Sequence, residues 1–217
     1  MRNIEKDWSQ KYRPTSIEDV ILPEHLEENL HQLVNSGGGM SLLFYGMPGC
    51  GKTTVAKLIN PENTYFINCT TDNSIEMVRQ LQRVCSSLTL DGSRRLVLLD
   101  EADYLSKDAQ AALRGVVERF SSGNDFVMTA NEPERLSAAI RSRFYPVHFD
   151  FLATEEIKVD MTARLWWIGL EECGEALPTV YLRGIIREFF PDMRRMIKRL
   201  QYEIIKQEQS TECAENA

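Results

Sequence analysis

Eight residues, Gly46-Met47-Pro48-Gly49-Cys50-Gly51-Lys52-Thr53, constrain this chain more than any others. They match G-x-x-x-x-G-K-[ST], and the flanks supply the context in which that pattern has a mechanism. Ser41-Leu42-Leu43-Phe44-Tyr45 before it is a short apolar run of buried-strand type, and Thr54 to Ile59 after it puts Val55, Leu58 and Ile59 on one helical face. Strand, glycine turn and helix in that order let backbone N–H groups close around phosphate oxygens at a helix N-terminus, where Lys52 adds a full charge. Gly49, Cys50, Gly51, Lys52, Thr53 and Thr54 are therefore candidate phosphate-binding residues, and the Thr53 hydroxyl is a candidate ligand for Mg2+. The bland alternative, a surface glycine loop with an exposed lysine, leaves the preceding strand unexplained.

The rest of the chain repeats this alternation. Trp8 to Pro23 carries two prolines bracketing a mixed segment and reads as an extended arm packed on the domain. Glu24 to Val34 has apolar residues at 26, 30, 33 and 34, a helical face stopped by Ser36-Gly37-Gly38-Gly39. Strands follow at Thr64–Asn68, Leu96–Leu99, Phe126–Asn131 and Tyr145–Phe149; Pro146 in the last points to a sheet edge. Between them lie a helix from Ile75 to about Leu88, capped by Ser74 with Ile75, Val78, Leu81, Gln82 and Cys85 near one face, and another from Lys107 to Phe120. Such alternation predicts an α/β fold, a parallel five-stranded sheet flanked by helices. After Phe151 the pattern turns wholly helical. Thr154 caps a helix to Cys173, Gly174 stops it, Pro178 and Pro191 open two more, and stripes at 157, 161, 165, 168 and at 193, 196, 197, 200, 204 read as core. The expected division is an α/β domain over 1–151, a small all-α lid over 152–206, and a frayed polar tail over 207–217.

Composition narrows the function classes. The net charge of −7 argues against indiscriminate coating of nucleic acid, which needs many basic contacts; Arg79 with Arg83 and Arg94 with Arg95 remain candidates for a local basic stripe. The five cysteines show no C-x-x-C spacing, which argues for reduced thiols and against a zinc site. No apolar run is long enough to span a bilayer and the first residues lack a signal core, so the expected location is the cytoplasm, without membrane association.

Beside the phosphate loop, the chemistry concentrates at strand ends. Leu96-Val97-Leu98-Leu99 ends in Asp100-Glu101, the place for an acid that holds a metal, Asp100, and one that polarises an attacking water, Glu101. Asn131 ends the next apolar strand, at the carboxyl edge where ligands gather in doubly wound sheets. Arg141-Ser142-Arg143 follows a short helix, and its bland reading is a pair of helix-dipole partners. Asp100-Glu101-Ala102-Asp103 taken alone also suits a DEAD-box RNA helicase, but those enzymes need two tandem domains of this size.

Taken in order, Lys11-Tyr12-Arg13-Pro14 with Ile21-Leu22-Pro23, the loop 46–53, Asp100-Glu101-Ala102-Asp103, Gln110-Ala111-Ala112-Leu113-Arg114, Thr129-Ala130-Asn131, Ile140-Arg141-Ser142-Arg143 and Phe190-Pro191-Asp192-Met193-Arg194-Arg195 resemble an AAA+ ATPase. More closely they resemble the ATPase subunits of sliding-clamp loaders, of the replication factor C small subunit kind and the T-even-type bacteriophage kind. The resemblance covers nearly the whole chain. It implies ATP and Mg2+ as cofactors, Tyr12 and Ile21 near the adenine, and Lys52 on the phosphates. It also implies Asn131 as first sensor, Arg194 as second sensor on the lid, and Arg143 as an arginine finger entering a neighbouring subunit's site. Arg79 is its best candidate for a DNA-phosphate contact. The implied partners are the sliding clamp, other clamp-loader subunits in a homo- or hetero-oligomer, and primer-template DNA, in a host's cytoplasm if the chain is phage-encoded.

Two departures stand out: Phe144 replaces the cysteine usual after the finger arginine, and the chain stops soon after the second-sensor helix, where the family continues into a collar domain. Another chain supplying the collar, or assembly through the ATPase domains, would reconcile this with clamp loading. The rival is an AAA+ assembly or regulatory ATPase that acts on no clamp.

Overall fold

The computed structural model describes residues 7–35, 39, 41–87, 89 and 92–215. It divides into two units: the described residues of Glu24–Met47 and Lys52–Asp150 form an α/β unit, and those of Met1–Pro23, Pro48–Gly51 and Phe151–Ala217 form a helical unit.

The α/β unit is built on a five-stranded parallel sheet in the order β2-β3-β4-β1-β5. Its strands are β1 (Ser41–Gly46), β2 (Thr64–Asn68), β3 (Arg95–Asp100), β4 (Asn124–Ala130) and β5 (Tyr145–Phe149). The middle residues of the three central strands, Leu42 to Phe44, Leu96 to Leu99 and Phe126 to Met128, are apolar and buried, as a sheet covered on both faces requires. β5 is an edge strand, and Pro146 occupies it as expected, since a residue without an N–H is tolerated there.

In the same unit the helices are α2 (Glu24–Asn35), α3 (Lys52–Leu58), α4 (Ile75–Ser86), α5 (Lys107–Phe120) and α6 (Ala138–Arg141), α1 (Trp8–Lys11) belonging to the other unit. Ser74 and Ser106 cap α4 and α5 by accepting from Met77 and Ala109 N–H groups. The buried face of α4 is Met77, Val78, Leu81 and Cys85 rather than the face with Ile75 and Gln82: the helix begins at Ile75, and its first turn is only partly covered. The stop at 36–38, Leu88, Asp91 and the side chain of Val34 lie outside the described residues.

Arg94 and Arg95, candidates for a basic stripe, are consumed by the fold. Arg94 donates to both carboxylate oxygens of Asp125 and to the carbonyls of Ser121, Ser122 and Asn124, and Asp125 also accepts from Gly39 N–H at 2.6 Å. Arg95 donates to the carbonyls of Val84 and Ser87. A guanidinium forked over several carbonyls is a staple at a sheet end and offers little to a phosphate.

The helical unit contains α1 (Trp8–Lys11), α7 (Glu155–Cys173), α8 (Thr179–Phe189) and α9 (Met193–Glu215). Its core joins Ile157, Met161, Leu165 and Ile168 of α7 to Leu182, Ile185, Ile186 and then Met196, Ile197, Leu200 and Ile204, the two predicted stripes. Three expectations change here. The N-terminal segment is not wholly extended: Asp7 caps a single turn by accepting from Ser9 N–H, and Trp8 and Tyr12 bury their rings in this core. That packing groups the arm with the helices instead of the α/β unit. Residues 207–215 continue α9 in place of a frayed tail, because glutamine, glutamate and alanine favour a helix already propagating. Pro178 and Asp192 precede their helices as caps, Asp192 accepting from Arg195 N–H at 3.0 Å.

Candidate nucleotide site

The phosphate loop leaves β1 at Gly46 and enters α3 at Lys52. Three of its glycines have positive φ: Gly46 at 144°, Gly49 at 77° and Gly51 at 93°. At Gly46 a Cβ would fall 2.7 Å from the Phe149 carbonyl oxygen, and at Gly49 it would fall 1.9 Å from Asp192 Oδ1. Gly46 requires glycine on conformation and on space, because its obstacle is backbone, whereas Gly49 requires it on conformation, its obstacle being a side-chain carboxylate. Lys52 is buried and donates to the carbonyls of Gly46 at 2.8 Å and Met47 at 2.7 Å, so its ammonium is anchored inside the loop. Cys50 is buried; Thr53 and Thr54 are half-buried in the first turn of α3.

Across the sheet, Asp100 ends β3 and is buried. Thr53 Oγ1 donates to Asp100 Oδ1 at 2.6 Å, and Thr129 Oγ1 of β4 donates to the same oxygen at 2.7 Å. β4 lies between β1 and β3, and the pairing Leu99 with Met128 sets Asp100 opposite Thr129. Glu101 is the only non-glycine residue at positive φ among the described residues, at 54°, and its N–H donates to Thr129 Oγ1 at 2.9 Å. A left-handed conformation costs a β-carbon-bearing residue about 1–2 kcal/mol, which the surrounding structure must offset. Thr129 was legible only as part of a strand end, and its link to the acid pair needs the strand register to be seen.

Asn131 lies one residue past β4 and is exposed. The turn it opens is held from both sides: Asp103 Oδ2 accepts from Glu132 N–H at 3.1 Å, and Gln110 of α5 donates to the Arg135 carbonyl and accepts from Ser137 N–H. Gln110 is a polar residue on the buried face of α5, a signal that its amide serves the backbone.

Arg143 follows α6. Its Nε donates to Glu118 Oε1 of α5 at 2.8 Å, Nη2 binds the same oxygen, and Nη1 binds the Ala139 carbonyl. This hydrogen bond holds the Glu118 carboxyl below the usual carboxylate range. Arg79, near the start of α4, is exposed and touches Glu76 at 3.3 Å, an exposed pair of little energetic weight.

The remaining candidates belong to the helical unit. Tyr12 is buried, donates its hydroxyl to Glu172 Oε1 at 2.6 Å, and meets Trp8 and Trp167 edge to face. Burial, reinforced by the Glu172 hydrogen bond, raises its phenol above the ordinary range. Ile21 packs partly buried against the same core, and Arg194 is exposed in the first turn of α9.

The donor set suits a hard cation beside a phosphate. Thr53 and Asp100 place a hydroxyl and a carboxylate together at the N-terminal end of α3, the oxygen chemistry Mg2+ takes when phosphates complete its shell.

The family model described as "ATPase family associated with various cellular activities (AAA)" matches residues 42–149. Replication factor C small subunit 2 of Pyrobaculum islandicum is 33% identical over 220 residues, taking in 94% of this chain and 66% of that protein. The replication factor C small subunit of Thermofilum pendens is 33% identical over 207 residues, 91% of this chain and 62% of its own length. Among solved structures, the RuvB Holliday junction branch migration motor of Thermotoga maritima matches 93% of this chain and 67% of that one, with a TM-score of 0.73 and 18% identity, a likeness of fold. The chain spans just under two thirds of the length of these curated relatives.

Proposed function

Residues 42–149 place this chain in the AAA family of ATPases, in the company of replication factor C small subunits, and from that premise we propose that it is the ATPase subunit of a sliding-clamp loader. It binds ATP, hydrolyses it at interfaces between subunits, and uses the cycle to place a clamp on primer-template DNA. The observation that supports this most directly is the hydrogen bond of Thr53 to Asp100, which joins the phosphate loop to the acid strand.

In this reading the loop N–H groups of Gly49 to Thr54 and the Lys52 ammonium hold the phosphates. Thr53 and Asp100 would hold Mg2+, which when bound supplies positive charge beside the phosphate oxygens. Glu101 accepts a hydrogen bond from the attacking water and so polarises it, and Asn131 orients that water. Tyr12 and Ile21 are assigned to the adenine and Arg194 to the γ-phosphate by family resemblance. Arg143 serves a neighbouring subunit, where an arginine on the transition-state charge is worth about 10³-fold or more in rate. Arg79 contacts a DNA phosphate.

The test is ATP turnover by the full chain with its cognate subunits, measured alone, with primer-template DNA, and with DNA and clamp together. Stimulation by DNA and clamp is the expected result. Turnover indifferent to both would point to an AAA assembly ATPase with another target, and no turnover under any condition would remove the enzymatic reading.

A further inference from the structure

One hydroxyl in the α/β unit has no place in the roles above, yet it touches both acids. Thr129 is 1% exposed, and its Oγ1 makes two hydrogen bonds: it donates to Asp100 Oδ1 at 2.7 Å and accepts from Glu101 N–H at 2.9 Å. A hydroxyl has one proton and two lone pairs, so a single Thr129 side chain can serve both neighbours at once. We infer that Thr129 is a positioning residue for ATP hydrolysis, orienting the Asp100 carboxylate and holding the Glu101 backbone in its left-handed conformation; this rests on the ATPase reading proposed above.

The geometry gives each bond a distinct consequence. Thr53 and Thr129 donate to the same oxygen of Asp100, from α3 and from β4. Two donors on Oδ1 fix the carboxylate plane and leave Oδ2 as the oxygen for a metal ion or its water. Glu101 has φ 54°, where a side chain is disfavoured, and its N–H is directed to Thr129. Without that acceptor the Asp100–Glu101 peptide keeps the Cys69 N–H on its carbonyl and the Glu101 carbonyl keeps the Tyr104 N–H, but the Glu101 N–H loses its tie to β4 and the left-handed conformation, with the carboxylate it orients, is held less firmly. Strand register makes threonine sufficient here, because β4 neighbours β3 and sets Thr129 level with Asp100.

Thr129→Val keeps the branched shape and removes both bonds, whereas Thr129→Ser keeps the hydroxyl and removes the methyl. Three quantities are measured on the full chain: the Mg2+ concentration that half-maximally tightens binding of a fluorescent ATP analogue, kcat and KM for ATP with cognate subunits, and the thermal midpoint. Thr129→Val is expected to bind the analogue in EDTA like wild type, to need roughly 10-fold more Mg2+, and to lose on the order of 10- to 100-fold in kcat with KM changed by about 2-fold or less. Thr129→Ser is expected to restore the Mg2+ requirement and kcat. Wild-type Mg2+ dependence and kcat in Thr129→Val would overturn the inference. So would a serine variant as impaired as the valine one, since the methyl and its packing would then be responsible. If the valine chain does not fold, Thr129→Ala against Thr129→Ser gives the same comparison. A wild-type chain that neither binds nor hydrolyses ATP would sink the ATPase reading itself, whereas an active wild type with an unaffected Thr129→Val sinks only the role of Thr129.

Discussion

Thr53 Oγ1 and Asp100 Oδ1 stand 2.6 Å apart, one on the first turn of α3 and the other at the end of β3, although 47 residues separate them. That contact turns a sequence motif into a site, because loop and acid are brought together by the parallel sheet between them. It also divides the labour. On the proposed reading Lys52, anchored on the Gly46 and Met47 carbonyls, serves phosphate binding, and Glu101, one residue beyond Asp100, serves the water.

Glu101→Gln should therefore bind ATP with Mg2+ about as well as wild type and stop turnover, because the cradle and the metal ligands persist while the water loses its acceptor. Lys52→Ala should weaken binding itself. Titration with a fluorescent ATP analogue, alongside phosphate release, separates the two. Equal loss of binding in both variants would contradict this division of roles.

How much of this was legible in the chain follows from which forces are local. The loop, the parallel sheet implied by alternating elements, and the α7 and α9 stripes depend on patterns within a few residues, and they appear in the fold as expected. What depends on register was not legible. Thr129 reads as an ordinary β-branched strand residue until β4 is set beside β3. Arg94 reads as a solvated cation until Asp125 and three carbonyls close on it. The N-terminal arm looked extended because two prolines dominate its pattern, while Asp7 capping one turn and Trp8 finding an apolar core are tertiary outcomes.

The Arg94 staple predicts a stability defect. Arg94→Ala leaves the half-buried Asp125 carboxylate and the Ser121, Ser122 and Asn124 carbonyls without their shared donor. Loss of charge-assisted bonds of this kind should cost about 2–3 kcal/mol, which for a chain of this size is roughly 5–10 °C in thermal midpoint. Arg94→Lys should recover little, since an ammonium cannot reproduce the fork. A thermal melt of both variants is the check, and an unchanged midpoint for Arg94→Ala would return the residue to the solvated class.

Buried thiols give a prediction with a pH sign. Burial, with the Asp100 charge adding to it, pushes the Cys69 thiol up to about 12, and burial pushes Cys85 up to about 11. The unfolded thiols ionise near 9 while the folded ones stay protonated, so this contribution to stability is complete below about pH 9 and is lost as the pH climbs toward 11 to 12. At pH 8 neither thiol should react with an alkylating reagent in the native chain, and both should react once it is unfolded. Peptide mapping of labelled protein with and without denaturant would show this, with half-buried Cys173 modified ahead of both.

Arg79 tests the proposed contact with nucleic acid. Its side chain is exposed at the start of α4, tied only weakly to Glu76. Arg79→Ala should weaken primer-template binding evenly across sequences and reduce the slope of log affinity against log salt by about 1, as loss of one phosphate contact requires. Unchanged affinity and slope would mean that the DNA path runs elsewhere.

Arg143 decides between a self-contained site and a shared one. In the free chain its guanidinium is occupied by Glu118 and by the Ala139 carbonyl, so reaching a neighbour's γ-phosphate means exchanging one carboxylate for a more highly charged anion. Arg143→Ala should thus bind ATP as tightly as wild type and fail to hydrolyse it. Mixing sharpens the test. An Arg143→Ala chain has an intact loop but offers no finger, whereas a Lys52→Ala chain has a finger but no working loop. Each is inactive alone, yet in a mixed assembly the finger of the second can enter the site of the first and restore part of the turnover. Wild-type activity should also rise faster than linearly with protein concentration, because the competent site forms only where subunits meet. If Arg143 served only to hold Glu118, Arg143→Ala and Glu118→Gln would lower the thermal midpoint alike and mixing would rescue neither. Concentration-independent turnover without complementation would then place the whole reaction within one chain.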